Sequence, residues 1–198
     1  MTEEGLSGRT TVFVDPIHES MDALSVIYSL LKSHEVIDLL IIMLGTNDTG
    51  MAVEDFISNY KQLVQAIQTS YPYTDIIVNT VPPVPVDHSN YPHMDQAKID
   101  DFNMALLDLC EQLGVRFLNS AEALKGSDGY GIADYYTSGD IHLKSAGLKA
   151  VLSYLRTHAL QTEDRRPDTN NIPTRTMEYV SNPCLLYTSP SPRDISGS

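Results

Sequence analysis

A short apolar run, LLIIML at positions 39–44, places the strongest constraint on how this chain folds. It lies in a longer predicted strand, Val36–Leu44, and both faces of such a strand must be covered because neither carries an alternating polar pattern. Apolar residues at helical spacing before it, at 20–34, and after it, at 52–70, indicate two covering helices. This arrangement is typical of a parallel sheet in an α/β protein.

The same alternation continues along the chain. The sequence predicts strands at 74–80 and 115–120, separated by an amphipathic helix at 99–114 that ends on a glycine. A final helix is predicted near 145–160. Because ligand sites of open α/β sheets lie beyond the carboxyl ends of the strands, we look for function in the loops that follow them.

Composition excludes several classes of function. The formal net charge is -13, and the sequence contains no cluster of Lys and Arg that could bind a phosphate backbone. No nucleic-acid partner is therefore expected. The longest apolar run is far shorter than the ~18 residues that a membrane span needs, so no membrane-spanning segment is expected. No basic-then-apolar leader is visible, which predicts a cytoplasmic protein. The two cysteines form no metal motif, and neither a metal nor another cofactor is expected.

The character of the chain changes after residue 160. Residues 1–160 carry the alternating pattern and are predicted to form one domain, whereas residues 161–198 lack apolar periodicity and predict a disordered tail. Within that tail, CLLYTSPSPRD at 184–194 resembles a translated sequencing-library adapter. Residues 184–198 are therefore predicted to be non-native, in an environmental (metagenomic) gene fragment.

Polar residues follow the apolar run directly, in the tetrapeptide Gly45-Thr46-Asn47-Asp48. One interpretation is a strand-to-helix turn, in which Gly45 adopts unusual backbone angles and a polar residue caps the next helix. The other is that the Asn47 amide donates to a developing oxyanion, while Asp48 supports the turn by accepting hydrogen bonds from nearby backbone N–H groups. The tetrapeptide alone leaves both open.

Two further segments carry candidate functional residues. In SGDIHLKSAG, Asp140 stands beside His142, and a carboxylate that fixes a histidine tautomer is what a general base for a hydroxyl nucleophile needs. The alternative for this segment is an ordinary surface loop. In EEGLSGRTTVF, near the N-terminus, Gly8 could present a backbone N–H to an oxyanion, although a simple glycine-rich loop is the alternative.

Taken together, G-L-S-G-R-T-T, G-T-N-D at a strand end and D-I-H-L before the last helix resemble the SGNH hydrolases, the GDSL-type esterases and lipases. EEGLSGRTT and DLLIIMLGTNDT are especially similar to the arylesterase and acyltransferase branch. The resemblance covers about residues 3–160. It implies a flavodoxin-like three-layer α/β/α sandwich and a Ser-His-Asp carboxylic ester hydrolase that acts on small acyl esters without a cofactor.

The resemblance also implies residue roles. Gly8 and Asn47 would be oxyanion donors, His142 the general base and Asp140 the acid that orients it. The family usually spaces the last two as Asp-x-x-His, whereas Asp140 stands only two residues before His142. A one-residue deletion would leave Asp140 as the acid, and Asp134 is the alternative.

A larger departure concerns the nucleophile. The family's first block, a strand followed by Gly-Asp-Ser, should lie well before the glycine-rich turn, but no serine of this sequence has that context. The sequence therefore predicts an inactive fragment that lacks both the nucleophile and the first strand. We expect the strand that ends at Gly45 to have an uncovered edge, which invites self-association.

A second function stays open at this point. A non-catalytic α/β binding module, or an inactive SGNH relative, could keep the same pocket for small anions or acyl groups. In either case, the expected ligand is a small molecule, and its specificity depends on the loops at 81–95 and 125–139.

Overall fold

The computed structural model describes residues 37–158 and the backbone of residues 11–14. The strands are β1 Thr11–Val14, β2 Leu39–Ile42, β3 Asp75–Asn79 and β4 Arg116–Leu118. The α-helices of the described part are α1 Val53–Ser70, α2 Gln96–Leu113 and α3 Ser145–His158. Short 3-10 turns lie at Thr46–Asp48, Ser120–Ala123 and Ala133–Tyr135.

The four strands form one parallel sheet in the order β1-β2-β3-β4. In β2, Leu39 pairs with Thr11 on one side and with Asp75 on the other. Because the strands are parallel, their carboxyl ends all lie at the same edge of the sheet. Each connection between two strands therefore crosses back over a face of the sheet. The α/β class predicted from the sequence is confirmed.

The two faces of β2 explain its composition. Leu40 and Ile42 belong to a buried cluster that includes the apolar faces of α1 and α2. Leu39 and Ile41 point the other way, into a second cluster completed by α3. Since each of these four side chains is at most 4% exposed, the sheet is a middle layer between helices.

Most predicted elements lie where the apolar pattern places them, with shifted ends. The helix predicted at 99–114 begins earlier, at Gln96, because the Asp95 side chain accepts a hydrogen bond from the Ala97 N–H (3.0 Å) and caps it. It ends as predicted, with Gly114 in the left-handed conformation (φ 65°). The predicted strand Val36–Leu44 is shorter, at Leu39–Ile42.

One expectation is wrong. The edge of β2 is not uncovered, because Thr11–Val14 pairs with it in parallel along its whole length. This strand is not predicted from the sequence, because four residues are too few to show a period. Self-association through an exposed edge strand stays a prediction, and it would have to use a strand other than β2.

Several predictions fall outside the part of the chain that the structure describes: the helix at 20–34, the turn that contains Gly8 and the tail at 161–198. Within the described part, no helix has both the length and the apolar character that a membrane crossing requires.

Two amide side chains hold the loop at 81–95 against α2. The buried Asn103 accepts a hydrogen bond from the Val81 N–H (2.7 Å) and donates one to the Val81 carbonyl (3.1 Å). Gln96 accepts a third from the Val84 N–H (2.9 Å). These bonds pair both backbone groups of Val81 and the N–H of Val84, so the loop leaves the end of β3 in a fixed direction.

We expect Asn103→Ala to lower the free energy of unfolding by about 2–4 kcal/mol, because both backbone groups of the fully buried Val81 would lose their partners. Chemical denaturation measures this loss. The matched control is Met104→Ala on the neighbouring, 62% exposed side chain, with an expected change within about 0.5 kcal/mol. Equal losses in the two variants would contradict the role assigned to Asn103.

Candidate active site

The turn after β2 requires glycine at its first position. Gly45 has φ 126°, a backbone conformation that residues with a Cβ rarely adopt. A Cβ there would lie 2.7 Å from Val81 Cγ2 and 3.0 Å from Phe56 Cζ. Gly45 therefore lets the chain turn sharply at the sheet edge, with α1 and the 81–95 loop packed directly against it.

The next three residues form the 3-10 turn Thr46–Asp48. The Asp48 N–H donates to the Gly45 carbonyl (3.1 Å), and the Asp48 carbonyl accepts from the Met51 N–H (2.9 Å). Thr46 and Asp48 are buried, whereas Asn47 between them is exposed. The turn thus presents Asn47 at the carboxyl edge of the sheet. The oxyanion role of Asn47, and the bracing role of the Asp48 side chain, stay predictions.

The segment Asp140-Ile141-His142 places a carboxylate against an imidazole. Ile141 is 5% exposed and belongs to the buried cluster of α1 and α2. Its two neighbours are held together outside that cluster: Asp140 Oδ1 lies 2.6 Å from His142 Nδ1. The same oxygen accepts the backbone N–H groups of Ile141 (2.6 Å) and His142 (3.1 Å). Because Ile141 is anchored in the core, the Asp140 carboxylate and the His142 imidazole meet although they are only two residues apart in the chain.

The hydrogen bond from His142 is the largest cause of the lowered pKa of Asp140. Burial opposes it, and the hydrogen bonds from the backbone N–H groups of His142 and Ile141 lower the pKa further. A carboxylate only accepts hydrogen bonds, so this contact assigns the proton of the neutral imidazole to Nδ1. Nε2 then carries the lone pair. Because the His142 side chain is 51% exposed, this imidazole is accessible to a reactant.

The alternative acid, Asp134, lies elsewhere. It is exposed, in the 3-10 turn Ala133–Tyr135. The carboxylate that the structure brings to His142 Nδ1 is that of Asp140.

The 81–95 loop contacts both polar turns. The Tyr91 ring meets the His142 ring edge-on, with 5.7 Å between the ring centroids. Three residues further on, the Met94 N–H donates to the Tyr91 carbonyl (3.0 Å), and the Met94 sulfur accepts from the Thr49 hydroxyl (3.0 Å). Thr49 directly follows the Asn47 turn, so a single loop links the two candidate motifs.

A second set of contacts joins this loop to the residues before His142. Asp87 Oδ2 accepts hydrogen bonds from the Ser138 hydroxyl and the Gly139 N–H, each at 2.9 Å. In return, the Asn90 N–H donates to the Gly139 carbonyl (2.9 Å). The pKa of Asp87 is lowered, chiefly by hydrogen bonds from the Ser138 and Ser89 hydroxyls, so this carboxylate stays charged.

Sequence reasoning missed Asp87, Gln96 and Asn103. A signal for the two amides was present, because they share a helical face with the buried Ile99 and a polar residue there needs a buried partner. Asp87 carries no comparable signal, since an exposed aspartate in a proline-rich loop is ordinary.

Residues of this loop line an open pocket of about 330 Å³: Val86, Asp87, His88, Ser89 and Pro92. His88 Nδ1 is 2.7 Å from the Pro85 carbonyl, which fixes the orientation of that ring. Among the described residues, no group of three or more His, Cys, Asp or Glu side chains could hold a metal ion.

The model of the GDSL-like Lipase/Acylhydrolase family matches residues 2–150. No curated protein sequence matches the chain.

Solved structures share the fold. A Streptococcus pneumonia protein provisionally named a platelet activating factor is 20% identical with a TM-score of 0.63, covering 75% of this chain and 83% of its own. The M. smegmatis aryl esterase is 24% identical with a TM-score of 0.55 and coverages of 75% and 72%. The carbohydrate acetylesterase Est24 from Sinorhizobium meliloti is 22% identical with a TM-score of 0.57 and coverages of 75% and 72%.

Gly45→Ala should lower the free energy of unfolding by about 2–4 kcal/mol, since the new methyl group adds both backbone strain and a clash. Gly50→Ala is the matched control, because a Cβ at that position meets nothing within 4 Å. We expect the control to be unchanged or stabilised by at most about 1 kcal/mol. Thermal or urea denaturation compares the two, and a Gly45→Ala variant as stable as the Gly50→Ala variant would contradict the constraint.

Asp140 should titrate below its ordinary pKa of 3.8, and His142→Ala should move that pKa upward toward 3.8. The ¹³Cγ resonance of Asp140, followed by NMR between about pH 2 and 6, measures both values. Because the folded pKa is depressed, the stabilisation is present above the unfolded pKa and is lost as pH falls through the folded pKa.

His88→Ala serves as the histidine control for this titration and should leave Asp140 in place, because His88 hydrogen-bonds the Pro85 carbonyl instead. If Asp140 titrated identically in wild type and His142→Ala, the pair would not exist in solution.

Proposed function

Because the chain belongs to the GDSL-like lipase/acylhydrolase family, we propose that its site serves the hydrolysis of a small carboxylic ester. His142 is the general base, and Asp140 orients it. The observation that carries this proposal is the 2.6 Å contact between Asp140 Oδ1 and His142 Nδ1. His142 packs on Tyr91 of the loop that follows β3, and α/β proteins bind their ligands beyond such strand ends.

The chemistry follows from the tautomer. With its Nδ1–H hydrogen-bonded to the Asp140 carboxylate, His142 can use Nε2 to take the proton of a serine hydroxyl as that oxygen attacks the ester carbonyl. Asp140 then stabilises the imidazolium, which returns the proton to the leaving alcohol. In the second half of the reaction, water attacks the acyl-serine ester with His142 as base, and the carboxylic acid is released. No metal or organic cofactor is required for any of these proton transfers.

The oxyanion of the tetrahedral intermediate needs hydrogen-bond donors that are already in place. We propose the Asn47 side-chain amide as one donor and the Gly8 N–H as the other. The exposure of Asn47 on a rigid turn supports this assignment, and the link from Thr49 through Met94 to Tyr91 ties that turn to the loop beside His142.

We further propose that this chain lacks the nucleophile. No serine in the sequence follows Gly-Asp. Ser138, the serine nearest in sequence to the acid–base pair, donates its hydroxyl to Asp87 and is thereby committed to the loop. The chain by itself would then bind esters without turning them over.

For substrate, we propose a small, uncharged acyl ester. The open pocket of the 81–95 loop combines the apolar Val86 and Pro92 with the polar groups of His88 and Ser89 and the carboxylate of Asp87, which suits a compact ester with a polar alcohol. The name of one structural neighbour, a carbohydrate acetylesterase, agrees with a small acyl group.

This chain should hydrolyse p-nitrophenyl acetate no faster than its His142→Ala variant, because without a nucleophile the general base leaves only the background reaction. Initial rates at neutral pH measure this. Turnover well above that of His142→Ala would overturn the proposal that the nucleophile is missing.

A chain extended upstream in the gene to include a Gly-Asp-Ser block should be active. In it, His142→Ala should reduce kcat/KM by at least about 10³-fold, and Asn47→Ala should reduce kcat by about 10²–10³-fold. Asn90→Ala, whose backbone hydrogen bond survives the change, is the matched control and should retain activity. An intact gene without such a block would instead favour the non-catalytic binding module.

A further inference from the structure

We propose that Asp87 is a positioning residue for the Asp140–His142 pair, because it fixes the turn from which the pair projects. The inference rests on the proposed function for what the pair does, but the geometry of the turn is independent of it. In this role, Asp87 acts through Ser138 and Gly139.

Two hydrogen bonds converge on one oxygen of Asp87. The Ser138 hydroxyl and the Gly139 N–H both lie 2.9 Å from Oδ2, while Oδ1 accepts the Ser89 hydroxyl at 3.1 Å. Bonds to an ionised carboxylate are stronger than neutral ones, and the lowered pKa of Asp87 keeps it ionised at neutral pH. The carboxylate therefore restrains both the side chain and the backbone of the turn.

Gly139 is held from its other side as well. Its carbonyl accepts the Asn90 N–H (2.9 Å), so both of its backbone groups bond to the 81–95 loop. Its φ of 73° is left-handed, and a Cβ there would lie 2.9 Å from Ser89 Oγ. The loop thus packs directly on a glycine that turns the chain, and the next residue is Asp140.

The restraint passes to the pair over a very short path. The Asp140 N–H donates to the Thr137 carbonyl (3.0 Å) and closes the turn, while the Ile141 side chain is fixed in the core. Asp140 therefore projects from a backbone held on both sides. The direction of its carboxylate, and with it the contact to His142 Nδ1, follows from where Gly139 is placed.

The support on which Asp87 stands is itself fixed. The buried Tyr136 hydroxyl donates to the Pro83 carbonyl (2.6 Å), and the Gly131 N–H donates to the Val84 carbonyl (2.8 Å). Together with the amides of α2, these contacts anchor the loop just before Asp87. Because its own loop is anchored, the Asp87 carboxylate can fix the position of the Ser138–Gly139 turn. A carboxylate on a mobile loop would move together with that turn.

The test uses the full chain, with Asp87→Ala, Ser138→Ala and Asp128→Ala as variants. Asp128 is the matched control, because it is also an exposed loop carboxylate that accepts a backbone N–H, from Tyr130 at 3.1 Å. Two NMR readouts are taken: hydrogen exchange of the Gly139 amide and the ¹³Cγ titration of Asp140. Thermal midpoints report whether each variant is folded.

In Asp87→Ala, we expect the Gly139 amide to exchange about tenfold faster or more, since its acceptor is gone. The pKa of Asp140 should rise toward the value that it takes in His142→Ala. Ser138→Ala removes one of the two converging bonds and should give a smaller change in the same direction. Asp128→Ala should change neither readout.

Faster exchange at Gly139 with an unmoved Asp140 titration would overturn the proposal, because Asp87 would then hold the turn without positioning the pair. Unchanged exchange would overturn it too. If Asp87→Ala does not fold, Ser138→Ala decides, since it keeps the carboxylate. Neither readout needs turnover, so an inactive extended enzyme would defeat the proposed function and leave this inference standing.

Discussion

Burial of both faces of β2 is the constraint on which the rest of the structure depends. Leu39, Leu40, Ile41 and Ile42 are almost entirely removed from water, which is possible only with helices on each side of the sheet. Such burial is typical of parallel sheets, and the parallel pairing of β1 to β4 brings the carboxyl ends of all four strands to one edge. The chain leaves β2 through Gly45, so the first residue that reaches solvent beyond the strand is Asn47.

The second organising element is the 81–95 loop. Long loops are usually the mobile parts of a domain, yet this one has its first half bonded to α2 through Asn103 and Gln96. Its second half contacts the Asn47 turn through Met94 and the histidine through Tyr91. It therefore acts as the scaffold on which the two candidate motifs are placed relative to each other.

Much of this could be predicted from the sequence, and the reasons differ from residue to residue. The helices follow from apolar periodicity, the buried strands β2 and β3 follow from continuous apolar runs, and Gly114 follows from the preference of helix ends for glycine. The pairing of Asp140 with His142 follows from their proximity in the chain. Gly8 lies outside the described residues, so its placement stays a prediction.

What could not be predicted depends on contacts between residues far apart in sequence. Thr11–Val14 forms a strand because it pairs with the edge of β2, and these four residues show no pattern from which that pairing could be predicted. Asp87 meets Gly139 across 52 positions, so neither segment shows the contact by itself. Local patterns specify elements, whereas the approach of one loop to another is fixed only when the core has formed.

The hydrogen bonds between Asp87 and the Ser138–Gly139 turn carry an evolutionary consequence. In the proposed enzyme, one loop would both line the ester pocket and hold the base, so an insertion that reshapes the pocket would also disturb proton transfer. Substrate range and catalytic rate would then drift together rather than separately. Lineages that change their ester should therefore do so by exchanging side chains such as Val86, while the length of the loop stays constant.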